Sequence, residues 1–323
     1  MTAYTAASLL LLVVAAWPAD DAKPGRRLLV SDDSTHRIAI LAADGSIEWE
    51  AKIGNLHDLH YLPDGHVLFE TSYQKIVEMD PKTNKVVWHY DAAKANGNAG
   101  KPVEVHAFQR LANGVTMIAE SGPSRILEVD REGKILRETK LKIAHSGAHR
   151  DTRLVRKLDN GNYLVCQEAD GMVREYEPAP SGKAAPGKIV WEYAVPMFGK
   201  PAKGGHGPEG FGNSCFAAVR LPSGNTLIAT GNGHSVLEVT PAKDIVWRFT
   251  QEDAKDFQLA WMTTLQVLPN GNIVVGNCHA GRTDPQIIEI DRNKRVVWRF
   301  MDMKRFGGAT TNSQVLDVEK SIR

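Results

Sequence analysis

Short apolar runs separated by turn residues recur along most of the chain. Turns of the type Leu-x-x-Gly begin at Leu62, Leu111, Leu158, Leu221 and Leu268, at intervals of 47 to 63 residues. Each turn is followed by three β-rich runs, which read "NTLIAT", "SVLEVT" and "DIVWRF" in the fourth repeat. With the run that precedes the turn, each repeat supplies four strands. Four strands that recur about every 48 residues are typical of the blades of a β-propeller.

The two ends of the chain supply the parts of one further repeat. The segment "SQVLDV" resembles a first strand, and its Leu316 follows Leu268 by one period. Near the N-terminus, "RLLVSDD", "RIAILA" and "SIEWEA" resemble the other three strands. We therefore predict an all-β fold, a six-bladed β-propeller with four antiparallel strands per blade. It is closed by pairing of the C-terminal strand with the N-terminal blade, which leaves no free sheet edge.

Tryptophan recurs at one position of the last strand, although the third repeat has Arg137 there. The tryptophans at this position are Trp49, Trp88, Trp191, Trp247 and Trp298. We expect each ring to pack as a wedge between neighbouring blades, where its burial contributes about 2–3 kcal/mol. The longest interval contains the Pro- and Gly-rich segments "EPAPSGKAAPGK" and "FGKPAKGGHGPEGFGN". We expect the first to be a flexible tip and the second to cover a face of the disc.

The N-terminus indicates an exported protein, and the composition gives no sign of a nucleic-acid or membrane partner. The 323 residues carry a formal net charge of +1, so no basic surplus points to nucleic acid or to an anionic membrane surface as a partner. The run "ASLLLLVVAAWPADD" has the length of a signal-peptide core and is too short to span a bilayer. We predict a signal peptide over residues 1–19, a single propeller over 26–318, and an extracytoplasmic (periplasmic or secreted) location. We expect a monomer without membrane insertion after cleavage.

Histidines are concentrated on one face of the predicted propeller. Turns between strands one and two, and between three and four, lie on one face and are plain tight turns such as "PDG" and "DNG". Turns between strands two and three, and the links between blades, lie on the other. Eight of the eleven histidines fall there or at the adjoining start of strand one: His36, His57, His106, His145, His149, His206, His234 and His279. This concentration predicts a polar pocket at one mouth of the central channel.

The predicted pocket combines these histidines with a few other side chains. Trp261 does not occupy the wedge position and lies just ahead of a first strand. The candidate ligand-binding residues are His57, His106, His149, His206, His234, His279, Trp261, Glu168 and Arg282. Imidazoles from separate blades could hold a divalent transition metal, with His106, His149 and His234 as the candidate ligands. They could instead act as general acid and base, or hydrogen-bond a sugar that stacks on Trp261. The pattern singles out no catalytic residue.

The repeats "GSIEWE" and "GKIVWEY", with turns of the type "LPNGN", resemble PQQ-like, or quinoprotein-type, β-propeller repeats. The resemblance covers residues 26–318 and is to short, exported bacterial members; it implies the propeller fold. Quinoprotein dehydrogenases typically have eight blades and often an adjacent cysteine pair. Here Cys166, Cys215 and Cys278 are far apart, so PQQ is not expected, and we expect buried free thiols. A weaker resemblance is to bacterial arylsulfotransferases, six-bladed propellers with histidines at the channel mouth, although no motif maps residue by residue.

Three functions are compatible with these patterns. The first is an exported propeller that binds a small polar ligand, of carbohydrate or glycoside type, in the His-rich pocket. The second is a propeller enzyme, either a metal-assisted lyase or hydrolase or an arylsulfotransferase-like enzyme that transfers a group through a histidine. The third is a protein-interaction scaffold, as in many WD40-like propellers. The polar loops favour the first over the third, because a scaffold would present an apolar patch.

Overall fold

The structure is a computed structural model that describes residues 25–323. The predicted signal peptide lies outside the described residues. Every regular element of the described residues is a β-strand, and the strands form six sheets arranged in a ring. The prediction of an all-β, six-bladed propeller is therefore confirmed. The same part of the chain contains no helix of the length and apolarity needed to cross a membrane.

Each blade contains four antiparallel strands, and blade 3 has one more. In chain order, the first eleven strands are β1 (Leu28–Asp32), β2 (Arg37–Leu41), β3 (Ile47–Lys52), β4 (Leu59–Tyr61), β5 (Val67–Ser72), β6 (Lys75–Asp80), β7 (Lys85–Asp91), β8 (Glu104–Arg110), β9 (Thr116–Ser121), β10 (Arg125–Val129) and β11 (Ile135–Lys140). The others are β12 (Val155–Lys157), β13 (Tyr163–Gln167), β14 (Met172–Glu177), β15 (Ala184–Pro186), β16 (Lys188–Ala194), β17 (Ala217–Arg220), β18 (Thr226–Ala229), β19 (Val236–Val239), β20 (Ile245–Phe249), β21 (Trp261–Val267), β22 (Ile273–Cys278), β23 (Ile287–Ile290), β24 (Val296–Phe300) and β25 (Asn312–Val315).

Blade 1 is built from both ends of the described chain. Its strand order is β25-β1-β2-β3, and β25 pairs with β1 in an antiparallel register that places Leu28 opposite Val315. β25 also contacts β4 of blade 2 and β21 of blade 6. The predicted ring closure is thus confirmed. Blades 2 to 6 begin with β4, β8, β12, β17 and β21, which line the channel.

The recurrent tryptophans bridge neighbouring blades, as predicted. Trp88, which is 7% exposed, donates its indole N–H to the carbonyl oxygen of Arg131 in the next blade, at 2.8 Å. Arg110, also from that blade, stacks its guanidinium on the Trp88 ring and pairs with Glu78 at 2.6 Å. The same combination of Trp, Arg and Glu recurs further along the chain. The sequence prediction missed the Glu and Arg partners, although the Glu occupies one repeat position.

The Pro-rich segment after β14 is not a flexible tip, contrary to expectation. Its residues Ala184–Pro186 form β15, which pairs in parallel with β11 as a fifth strand of blade 3. An outermost strand exposes unpaired backbone groups, and β15 covers those of β11. Blade 3 is also the blade with Arg137 at the tryptophan position, where the Arg137 guanidinium pairs with Glu128 at 3.1 Å.

The other long segment, residues 196–216, covers part of the predicted histidine face. An isolated bridge between Lys203 and Phe211 folds it back on itself. Its His206 reaches the ring of Trp261 in blade 6, with centroids 4.8 Å apart. The three cysteines are buried and free, which confirms that expectation.

Candidate functional site

A pocket of about 220 Å³ opens at one mouth of the channel. It lies on the face that carries the turns between strands two and three and the links between blades. Among the predicted ligand-binding residues, those that line it are His57, His149, His206, His279 and Trp261. The other eight lining residues were not among the predicted candidates; they are Asp33, Tyr73, Arg153, Phe216, Thr263, Cys278, Ala309 and Thr311.

Larger clefts exist elsewhere on the disc. One of about 850 Å³ follows the outer strands of blades 6 and 1, beside Trp298 and Arg305. Another of about 660 Å³ lies outside the opposite channel mouth, between the tight turns. Volume alone does not identify a site. The 220 Å³ pocket is the stronger candidate because titratable and aromatic side chains from several blades converge there.

The pocket is framed by one repeat position. Counting five residues back from the leucine of each Leu-x-x-Gly turn, and from Leu316 in blade 1, gives one residue per blade: His57, His106, Arg153, Phe216, Thr263 and Thr311. Five of these six line the pocket, and the sixth, His106, contacts His57 from behind. The repeat therefore places one side chain from every blade around the mouth. Alignment of the repeats at this position would have identified Arg153 and Phe216 from the sequence.

His57 precedes β4 and is almost fully buried, with 6% of it exposed. Its Nδ1 lies 2.6 Å from Nδ1 of His106, and its Nε2 lies 3.4 Å from the hydroxyl of Tyr73. Burial, together with the charge of Arg153, lowers the pKa of His57 well below its ordinary value, so the ring is neutral. One of the two Nδ1 atoms must therefore carry a proton and donate to the other.

His106 and Glu104 lie on β8, and His149 lies in the link to blade 4. Nδ1 of His149 is 2.7 Å from Oε2 of Glu104. Nε2 of His106 is 3.1 Å from the same oxygen, but it makes no well-directed hydrogen bond to any described residue. Burial, followed by the charge of Arg153, lowers the pKa of His106 to about 3. Burial opposes ionisation of Glu104, but the two imidazoles outweigh it and lower the pKa of Glu104 to about 2.

The opposite wall of the pocket is aromatic. Trp261 begins β21, and His206 from the covering segment lies over its ring. The rings of His206 and His279 are 5.4 Å apart. Burial, with a smaller contribution from His206, lowers the pKa of His279. This wall therefore offers imidazole and indole surfaces.

The remaining predicted residues lie outside the lining. His106 is behind His57. Glu168 is buried and pairs with the lining Arg153 at 2.5 Å, so it holds that guanidinium in place from behind. His234 packs edge-on against Phe211, with ring centroids 6.1 Å apart. Arg282 is exposed at the surface.

Of the three histidines predicted as metal ligands, the structure brings His106 and His149 together. Glu104, which the prediction did not name, joins them, and one donor atom from each of the three residues lies within 4.8 Å of the others. His234 is not part of this group. Its side chain is on the far side of the mouth, under the covering segment.

Comparisons with known proteins agree with the fold. The PQQ_2 family model, described as outer membrane protein assembly factor BamB, matches residues 15–167. A protein of unknown function from Bacteroides caccae is 24% identical, with a TM-score of 0.71, over 90% of this chain and 98% of that one. A virginiamycin B lyase from Staphylococcus aureus, solved with quinupristin, is 14% identical, with a TM-score of 0.55, over 90% of this chain and 88% of the other. No curated protein sequence matches the chain.

The class of the protein follows from the ring of six sheets, which defines a six-bladed β-propeller. The repeat itself is similar to the PQQ_2 model over residues 15–167, just under half of the chain. This match supports a PQQ-like β-propeller repeat protein.

Proposed function

We propose that this propeller is extracytoplasmic and binds a small polar ligand, of carbohydrate or glycoside type, in the pocket at the His-bearing mouth. The observation that carries the proposal is the convergence of one repeat position from five of the six blades on a pocket of about 220 Å³. A cavity of this size suits roughly one substituted sugar ring. The match to a family model named for an outer membrane assembly factor and the apolar run near residue 10 support the location.

The chemistry of the lining suits hydroxyl groups. A neutral imidazole donates from one nitrogen and accepts at the other, as a sugar hydroxyl also does. The lining offers imidazole rings from His57, His149, His206 and His279. The indole of Trp261 supplies an apolar face for the carbon skeleton of a sugar. The guanidinium of Arg153 adds donors, and its charge is balanced by Glu168.

Thermal stabilisation by candidate ligands tests this proposal. We expect one class among monosaccharides, uronic acids and glycosides to raise Tm, since a ligand at a hundred times its Kd adds about 2.7 kcal/mol. His206→Ala and Trp261→Leu should each remove most of that shift, because they dismantle the aromatic wall. His36→Ala, at an exposed position outside the lining, is the matched control and should keep it. No shift with any class, or a shift that survives both pocket variants, would contradict the proposal.

A second candidate function, catalysis, is favoured by the chain of contacts behind the lining. Tyr73, His57 and His106 are linked through atoms 3.4 and 2.6 Å apart, and Glu104 lies beyond them. A neutral histidine oriented by a second group can act as general acid or base, which typically contributes about 10²–10⁴-fold to a rate. His57→Gln should then abolish turnover of the bound ligand while its thermal shift persists. Recovery of the ligand unchanged after long incubation with the unmodified protein would exclude this candidate.

A further inference from the structure

Glu104, His106 and His149 present a compact set of donor atoms. Nδ1 of His149 and Nε2 of His106 lie 2.7 and 3.1 Å from one carboxylate oxygen of Glu104. Two imidazoles and a carboxylate are a donor set used by catalytic zinc sites. Bond lengths of about 2.0–2.1 Å to a tetrahedral ion place neighbouring donors roughly 3.3–3.5 Å apart. The observed separations of 2.7 and 3.1 Å are shorter than that spacing, so the donors would move apart by roughly 0.2–0.8 Å around an ion.

A buried nitrogen without a well-directed hydrogen bond is the second observation. His106 is fully buried, and its Nε2, 3.1 Å from Oε2 of Glu104, makes no well-directed hydrogen bond to any of residues 25–323. A buried polar atom of this kind is costly unless a partner is supplied. The atom lies among donors suited to a cation.

A second group of similar composition serves as an internal contrast. Asp64, His66 and Glu78 also bring donor atoms together on the opposite face. There, Oε2 of Glu78 is already paired with two guanidiniums, those of Arg110 and Arg131, each at 2.6 Å. These positive charges disfavour a cation. In the first group, Glu104 has no arginine partner among residues 25–323, and the nearby Arg153 pairs with Glu168 at 2.5 Å.

We propose that Glu104, His106 and His149 form a binding site for a divalent transition metal of the zinc class. The ligands are the carboxylate of Glu104, Nε2 of His106 and Nδ1 of His149. Three protein donors leave a coordination position open, and His149 belongs to the pocket lining, so that position adjoins the pocket. This metal site follows from the contacts among its three side chains and does not depend on the proposed ligand.

The metal also fixes the proton of His57. A metal on Nε2 of His106 requires the proton of that ring to be on Nδ1, which then donates to Nδ1 of His57, 2.6 Å away. The proton of His57 is consequently on Nε2, the nitrogen that faces Tyr73. Metal binding therefore makes His57 a hydrogen-bond donor towards Tyr73 and the pocket.

Zn²⁺ binding to tag-free, chelator-stripped protein tests the site, with a chromogenic chelator as competitor. We expect about one equivalent of Zn²⁺, and affinity losses of at least about tenfold for Glu104→Gln and for His149→Ala. Both side chains are partly exposed, 24% and 50%, so these variants should fold. His145→Ala, in the same link but paired with Asp170, and His66→Ala, in the contrasting group, should bind as the unmodified protein does.

Two results would overturn the inference. The first is binding of less than about a tenth of an equivalent of Zn²⁺. The second is binding that Glu104→Gln and His149→Ala both retain. The proton assignment has its own readout in ¹⁵N chemical shifts of the histidine rings, with His57→Gln to assign the signals. Zn²⁺ should leave His57 protonated on Nε2, and a His57 that keeps its proton on Nδ1 with Zn²⁺ bound would refute the coupling.

Discussion

The two ends of the channel are built from neighbouring positions of one repeat but differ in how fully their polar groups are paired. At the His-bearing end, imidazole rings surround an open pocket, and Nε2 of His106 behind them makes no well-directed hydrogen bond. Towards the other end, Arg156 forms two hydrogen bonds with the buried carboxylate of Asp58, at 2.8 and 2.9 Å. The guanidinium of Arg323 lies at the same end and donates to the backbone oxygen of Leu59 and to Oε1 of Gln314. The buried ion pair indicates a structural role for this end, although Nε of Arg323 has no hydrogen-bond partner among the described residues. At the other end, side chains that converge on an open pocket indicate binding.

Removing the charge of Asp58 should have the largest effect on stability. Asp58→Asn leaves Arg156 buried without its counter-ion, so we expect a loss of about 3–5 kcal/mol in the free energy of unfolding, measured with denaturant. Asp58→Asn combined with Arg156→Met should recover much of it, because neither charge then remains buried. A loss below about 1 kcal/mol in the single variant would show that this end is not held by the pair.

The pH dependence of Asp58 has a defined sign. Burial opposes its ionisation, but Arg156 and His60 hold the pKa of Asp58 below its ordinary value of 3.8. Its contribution to stability is therefore complete above that ordinary value and is lost as the pH falls through the folded-state pKa.

Asp33, in the pocket lining, should behave in the opposite way. Burial raises its pKa from 3.8 to about 7, against a hydrogen bond from the backbone of Leu56. The folded state thus binds this proton more tightly than the unfolded state does. The associated stability is present below pH 3.8 and is lost as the pH rises towards 7.

Asp33→Asn should remove this pH-dependent loss. Between about pH 4 and pH 7, the unfolding free energy of the variant should rise relative to the unmodified protein by about 1–3 kcal/mol. Denaturant unfolding at several pH values measures the difference. His89→Ala, which removes an exposed imidazole of β7, provides the control for general effects of pH. A constant difference across this range would mean that Asp33 is ionised throughout, and the contrast between the two ends would be weakened.

The fold was predictable from the sequence because a β-propeller repeats its turn signals at a fixed period. Ring closure was predictable for the same reason, since "SQVLDV" matches a first strand. The site was predictable only in part. Selecting residues by type found His57 and Trp261 but not Arg153 or Phe216, which share a repeat position with His57 and differ from it in chemistry.

Other features depended on local irregularities that have no periodic signal. The register of β8 shifts between Val105 and Ala107, so simple alternation does not predict where Glu104 and His106 point. His149 lies in an irregular link that no spacing rule relates to β8. The pairing of β15 with β11 involves only three residues, Ala184–Pro186, and depends on the free edge of another blade. His234 falls on the predicted face, but the covering segment brings Phe211 against it.

The smallest expected effect is that of Arg282→Ala. Arg282 occupies a turn between strands two and three, as the pocket face requires, yet it is exposed and outside the lining. We expect its unfolding free energy to stay within about 0.5 kcal/mol of the unmodified protein, and its ligand-induced Tm shift to be unchanged. Arg153→Gln, at the repeat position that frames the mouth, should lose the shift. If Arg282→Ala removed the shift and Arg153→Gln kept it, the ligand would bind at the rim. The contrast between an open and an ion-paired end of the channel would then no longer identify the site.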